Sequence, residues 1–243
     1  MTRKLFWISI LMLIALLAAG CGGKQAEATE AAAEPTQSSD QAAAPTELAA
    51  DAGTETEAQE PAATWGDLQF VTGNAKRTTV EDQGGAVVFT LKDANTYAYR
   101  FQEGADYDDV TVEVDTTNLG DNDNGIALIC RASDAGWYEY RVTSGGMYSV
   151  FLYDAALKGS GTNPYRTLDS GGSGLLTGKQ SSLKFVCEGN TLRIYANGEE
   201  IEPRNGTIED KNNTFASGEV GIGAMSNART PVKISFDTIS ISE

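Results

Sequence analysis

Ten stretches of this chain alternate apolar and polar side chains at period two: 86–91, 96–101, 110–115, 126–132, 137–142, 147–153, 183–187, 192–196, 219–224 and 232–241. Successive side chains of a strand point to opposite faces, so the pattern buries one face of each stretch. No window sustains a helical period. Between the stretches lie turn formers. Asn197-Gly198 tolerates positive φ at both positions and predicts a two-residue hairpin, and Gly189-Asn190, Ser144-Gly145-Gly146 and Asp134-Ala135-Gly136 serve similarly. Ten or more short strands joined by tight turns predict an all-β fold, an antiparallel two-sheet sandwich or jelly roll.

Register follows from the turns. Three-residue loops set Thr143 opposite Met147 and Ser133 opposite Trp137. Tyr138, Tyr140 and Val142 then share a face with Tyr148, Val150 and Leu152, and with Leu128, Cys130 and Ala132. That face is the expected core, and a one-residue slip would mix apolar with polar positions. The opposite face collects Trp137, Glu139 and Arg141 beside Arg131, Ser149, Phe151 and Tyr153.

Composition divides the chain. Residues 1–20 read as an export signal, Met-Thr-Arg-Lys followed by an apolar run from Leu5 to Ala19. The run is short for a bilayer core, which takes roughly 20 apolar residues. Leu17-Ala18-Ala19-Gly20-Cys21 resembles the lipobox of bacterial lipoproteins, which implies cleavage before Cys21, acylation of its thiol and a lipid-anchored protein outside the cytoplasm, on the cell membrane or outer membrane. An ordinary secretory signal with a chance cysteine is the alternative. Residues 21–64 hold nine acidic side chains against Lys24 alone and no aromatic residue. Such a segment buries too little apolar surface to offset the cost of ordering its backbone, so it is expected to be a disordered acidic tether. A neutral chain of that length spans about 35 to 40 Å on average. All nine Tyr and most Val and Ile fall at 65–243, the expected single globular domain. With 25 acidic and 15 basic side chains, it disfavours nucleic acid and leaves the lipid anchor as its expected link to a membrane.

Gly125 to Tyr153, with Cys130-Arg131 and Trp137-Tyr138-Glu139-Tyr140, and Leu183 to Gly198 resemble the concanavalin A-like jelly rolls. Phe215 to Ala224 and Val232 to Ile241, with Ser235-Phe236-Asp237, are similar to the closing strands of laminin-G-like domains and of the domains named for 3-keto-disaccharide hydrolases. The resemblance covers most of 65–243 and implies a jelly roll. Its members include lectins, glycanases and adhesion modules, and none of their active-site motifs is complete here.

The residues limit the chemistry. The chain has no histidine, which excludes Ser-His-Asp and Cys-His nucleophile systems and imidazole-based zinc sites. Cys130 and Cys187 each end an apolar run on its inward face, and in an oxidising compartment a disulfide between them is expected, two buried thiols being the alternative. Glu113 and Asp115 lie two apart on a strand, about 6.7 Å between like atoms, near the separations used in glycoside hydrolysis. They match the start of the Glu-x-Asp-x-Glu motif of laminarinase and lichenase type glycanases, but Thr117 and Asn118 stand where the third carboxylate belongs. No catalytic residue is assigned. Asp121-Asn122-Asp123-Asn124-Gly125 offers oxygen ligands for calcium without EF-hand spacing, and is equally the composition of a plain turn. No other cofactor is called for.

The remaining candidate is the outward face. Trp137 and Tyr153 offer rings for stacking on pyranoses, and Glu139 and Arg141 offer hydrogen bonds to hydroxyls. The same residues also suit cross-strand charge pairs with Trp137 packed under a loop. The Gly-, Ser- and Thr-rich segment from Asp154 to Gly178 is placed on the same rim. The expectation is a noncatalytic recognition domain for envelope or extracellular glycan, with a glycan hydrolase or a structural, protein-binding domain as alternatives.

Overall fold

A computed structural model describes residues 64–120 and 122–243. The export signal, Cys21 and all but the last residue of the tether lie outside the described residues, as does Asp121.

All ten anticipated strands form, and six more join them. In chain order they are β1 (Thr64–Trp65), β2 (Gln69–Thr72), β3 (Thr78–Gln83), β4 (Ala86–Leu91), β5 (Tyr97–Glu103), β6 (Val110–Asn118), β7 (Asn124–Ser133) and β8 (Gly136–Thr143). They continue with β9 (Met147–Asp154), β10 (Tyr165–Gly172), β11 (Gln180–Glu188), β12 (Thr191–Ala196), β13 (Glu199–Glu200), β14 (Ile208–Glu209), β15 (Glu219–Ser226) and β16 (Val232–Ser242). The one α-helix among the described residues, α1 (Ala155–Gly159), is a single turn capped by the Asp154 carboxylate.

The strands form two antiparallel sheets. The first runs β1-β5-β15-β7-β8-β9-β10 with β2 beside β5; the second runs β13-β12-β11-β6-β16-β4-β3 with β14 beside β12. Their facing sides make one core, in which Leu128, Tyr138, Tyr140 and Val150 of the first sheet meet Phe89, Val112, Phe185 and Phe236 of the second. β6 shows the pattern at work: Val110, Val112 and Val114 are buried, whereas Glu113 and Asp115 face outward. The Cys130–Cys187 disulfide joins β7 to β11 across the core, 57 residues apart in sequence. Closing a loop of that length contributes roughly 4 kcal/mol in the chain-entropy account.

Register agrees at one hairpin and shifts at the other. Val142 opposes Tyr148 and Tyr138 opposes Leu152, as the β8–β9 turn predicts. Across β7 and β8 the expected pairing of Cys130 with Tyr140 is replaced by Cys130 with Tyr138. The cause is a two-residue turn at Asp134-Ala135 and a bulge that sets both Arg131 and Ala132 against Trp137. A two-residue shift leaves Tyr138, Tyr140, Cys130 and Leu128 in the core. The bulge moves its own two residues. Arg131, expected on the outward face, takes φ +53 and reaches the second sheet, donating to Gly189 O at 2.6 Å and pairing with the Asp109 carboxylate at 3.0 Å. Ala132, expected in the core, packs in the outward cluster instead.

β7 and β15 are buried along nearly their whole length, so the outer side of the first sheet is covered as well. The stretch 126–132, expected to alternate, instead opens with the unbroken apolar run Ile126-Ala127-Leu128-Ile129-Cys130, because a strand buried on both faces loses its alternation.

Candidate functional site

Alternation along β8 puts Trp137, Glu139 and Arg141 on the outward face of the first sheet, opposite Tyr153, Phe151 and Ser149 of β9. The four residues singled out from the sequence, Trp137, Glu139, Arg141 and Tyr153, do come together. What covers them arrives from elsewhere. Tyr97, Tyr99 and Phe101 line the same face of β5, and Tyr165 stands on β10.

β5 and β10 are five strands apart in the sheet, roughly 24 Å if it were flat. Yet the Tyr99 and Tyr165 hydroxyls meet at 2.8 Å, and Lys158 Nζ of α1 donates to Phe70 O of β2 at 3.1 Å. The sheet therefore curls around its outward face into a trough, and its two margins touch across the middle.

The trough is filled. The Trp137 and Tyr153 rings stack with centroids 3.8 Å apart and planes 13° apart. Glu139 has no exposed surface. Its Oε2 accepts from Trp137 Nε1 at 3.1 Å and from the Tyr99 hydroxyl at 3.2 Å, while Oε1 accepts from Arg141 Nε at 2.6 Å. The guanidinium of Arg141 lies 4.6 to 4.8 Å from the ring centroids of Tyr97, Phe151 and Tyr165. Burial works against its charge, but the Glu139 carboxylate, by charge and hydrogen bond, together with Tyr99 and Tyr165 prevails over burial and raises its pKa. Burial, with the Glu139 charge adding to it, raises the pKa values of Tyr99 and Tyr153, so both stay protonated at neutral pH.

Two depressions remain, one at each end of the trough. Arg141, Tyr97, Phe151 and Tyr165 line the first, of about 390 Å³, with Asn95 and Asn163 at its rim. The segment after Asp154 supplies Asn163, Pro164 and Tyr165 to this wall, on the rim where the sequence placed it. Phe101 and Trp137 line the second, of about 520 Å³, with Gln69, Asp106, Asp134 and Glu219. Glu139 lines neither, and Tyr153 is 3% exposed; both act from beneath. Sequence reasoning missed Tyr97, Tyr99, Phe101 and Tyr165. The first three form the alternating aromatic run Tyr97-Ala98-Tyr99-Arg100-Phe101, a legible mark of one aromatic strand face.

The other candidates lie elsewhere. Glu113 and Asp115 are on the outer face of the second sheet, where Glu113 pairs with Lys184 at 3.0 Å; Thr117, at the motif's third position, donates to Asp237. In the acidic turn, Asn122 donates to Pro231 O and the buried Asn124 donates to Asn122 O. Among the described residues, no group of three or more Asp, Glu, Cys or His is placed to hold a metal ion.

No protein-family model matches the sequence, and no curated protein matches it. Solved structures share the fold. They include a carbohydrate-binding module, CBM66, from Bacillus subtilis, with TM-score 0.52 and 16% identity over 72% of this chain and 95% of that one. A Bacillus subtilis protein of unknown function with a galectin-like fold gives TM-score 0.51 and 9% identity over 73% and 88%. A β-1,3-1,4-glucanase (lichenase) derived from a mouse hindgut metagenome gives 0.50 and 10% over 75% and 94%. The domain therefore has the two-sheet jelly-roll fold that the sequence resemblance implied.

Proposed function

We propose that this domain binds carbohydrate without transforming it, in the Arg141 depression of the trough, and that it does so outside the cytoplasm on a lipid anchor at Cys21. One observation carries the binding site: aromatic walls from Tyr97, Phe151 and Tyr165 surround a guanidinium whose charge is cancelled by the fully buried Glu139, with the neutral amides Asn95 and Asn163 at the mouth. Pyranose rings present apolar C–H faces and neutral hydroxyls, and this lining offers a partner to each. The fold is one on which a carbohydrate-binding module and a glucanase are both built.

Two features favour binding over hydrolysis. Among the described residues no carboxylate lines the depression, whereas glycoside hydrolysis takes a pair flanking the bond. The Glu113 and Asp115 pair faces away from it, on the other sheet.

A broad glycan array probed with wild-type protein and with Asn163→Ala tests the site. Binding of neutral glycans by wild type and its loss in the variant are expected; an array on which neither protein binds neutral glycans rejects the reading. The anchor is tested separately. Cys21→Ser is expected to leave the protein soluble or unprocessed, and fractionation of the variant with membranes contradicts lipidation there.

A further inference from the structure

The cavity at the other end of the trough differs in chemistry. Its walls are Phe101 and Trp137, whose ring centroids are 5.4 Å apart with planes tilted by 57°, so that the two rings make an aromatic corner. Around that corner stand Asp106, Asp134 and Glu219, and among the described residues no Lys or Arg lines the cavity. Among the described residues none of these three carboxylates is paired with a cation. Burial, then the nearby charges of Glu103, Asp134 and Asp106, raises the pKa of Glu219, against one backbone hydrogen bond from Gly104 that lowers it.

Carboxylates gathered around one concave space without counter-ions leave negative potential inside it, and Phe101 and Trp137, 4% and 8% exposed, give it an apolar floor. Gln69, Ser133 and Ser217 add neutral polar groups to the same wall. An alkylammonium satisfies the carboxylates; a pyranose bearing it also uses the apolar floor, the amide and the hydroxyls. We propose that this cavity is a second binding site, separate from the Arg141 depression, that takes an amino sugar with a free ammonium group. The ammonium is argued from the cavity itself, and the choice of a sugar as its carrier rests on the carbohydrate reading above.

Calorimetric titration of the full protein with a glucosamine tetramer, its N-acetylated counterpart and trilysine tests this. Asp106 and Asp134 are exposed, so the double variant Asp106→Asn/Asp134→Asn is expected to melt at or above the wild-type temperature. The amine form is expected to bind at least tenfold more tightly than the acetylated form and to weaken in high salt. It should lose at least tenfold in the double variant and bind Asn163→Ala as it binds wild type. Equal binding of amine and acetylated forms, or an amine unaffected by the double variant, overturns the ammonium site. Trilysine binding as tightly as the tetramer overturns the sugar. Absence of any amine binding overturns the whole proposal, and leaves the Arg141 depression to be judged by neutral glycans alone.

Discussion

Single side chains hold the trough and its loops in place, and their burial makes them sensitive to charge. Asp210 is one of these. Its carboxylate is buried beneath the loop 210–215 and accepts from the Tyr138 hydroxyl at 2.7 Å and the Thr214 amide at 2.9 Å. Burial raises its pKa, but the hydrogen bonds from Thr214, Tyr138 and Asn212 together prevail and bring it down to about 2 from 3.8. A carboxyl group whose folded-state pKa is depressed stabilises the fold above its unfolded value and loses that contribution as pH falls. Asp210 therefore contributes about 2 kcal/mol at neutral pH, lost between about pH 4 and pH 2. Urea denaturation at pH 7 and pH 2.5 should show a steeper acid loss in wild type than in Asp210→Asn; equal losses contradict this role. At this scale the sequence was legible in part. The alternation of Trp137, Glu139 and Arg141 placed them on one face with Tyr153. Their burial was not readable there, because Tyr99 and Tyr165, which close over Glu139, come from strands that the trough alone brings together. Arg131 was misplaced because a bulge is a backbone event with no mark in the alternation.

At the scale of elements, legibility followed burial asymmetry. Strands with one wet face, such as β6 and β11, announce themselves by period two. β10 was missed: a register shift between Thr167 and Asp169 breaks its alternation, and it ends in two glycines. β3 reads Thr-Thr-Val-Glu-Asp-Gln and lies at a sheet edge, where few of its side chains are buried. α1 is five residues long, shorter than the window in which a helical period can be recognised. The disulfide was predicted from two inward-facing run ends, and it fastens β7 to β11 next to the Arg131 bulge. Replacing both Cys130 and Cys187 by Ser should lower unfolding free energy by about 4 kcal/mol if loop entropy dominates. Denaturant titration of oxidised wild type against the double variant measures it, and a difference near zero contradicts the contribution.

For the molecule as a whole, the two sheets carry different surfaces. The second sheet turns outward a solvated face where Glu113 pairs with Lys184 and Arg193 with Glu188. The first sheet curls, meets itself across the trough and leaves a neutral depression at one end and an acidic one at the other. Fold class was readable from alternation and turns, and so was the grouping of Trp137, Glu139, Arg141 and Tyr153 on one face. The curl was not, because it depends on contacts between margins five strands apart. The central claim is that the Arg141 depression binds neutral carbohydrate and leaves it intact. Its most direct test is calorimetric titration of the strongest neutral glycan from the array into wild type and Asn163→Ala, with chromatography of the recovered glycan. Saturable binding by wild type, at least tenfold weaker in the variant, with the glycan recovered unchanged, is the predicted result. Equal binding by the two proteins, or shortened glycan in the cell, contradicts it.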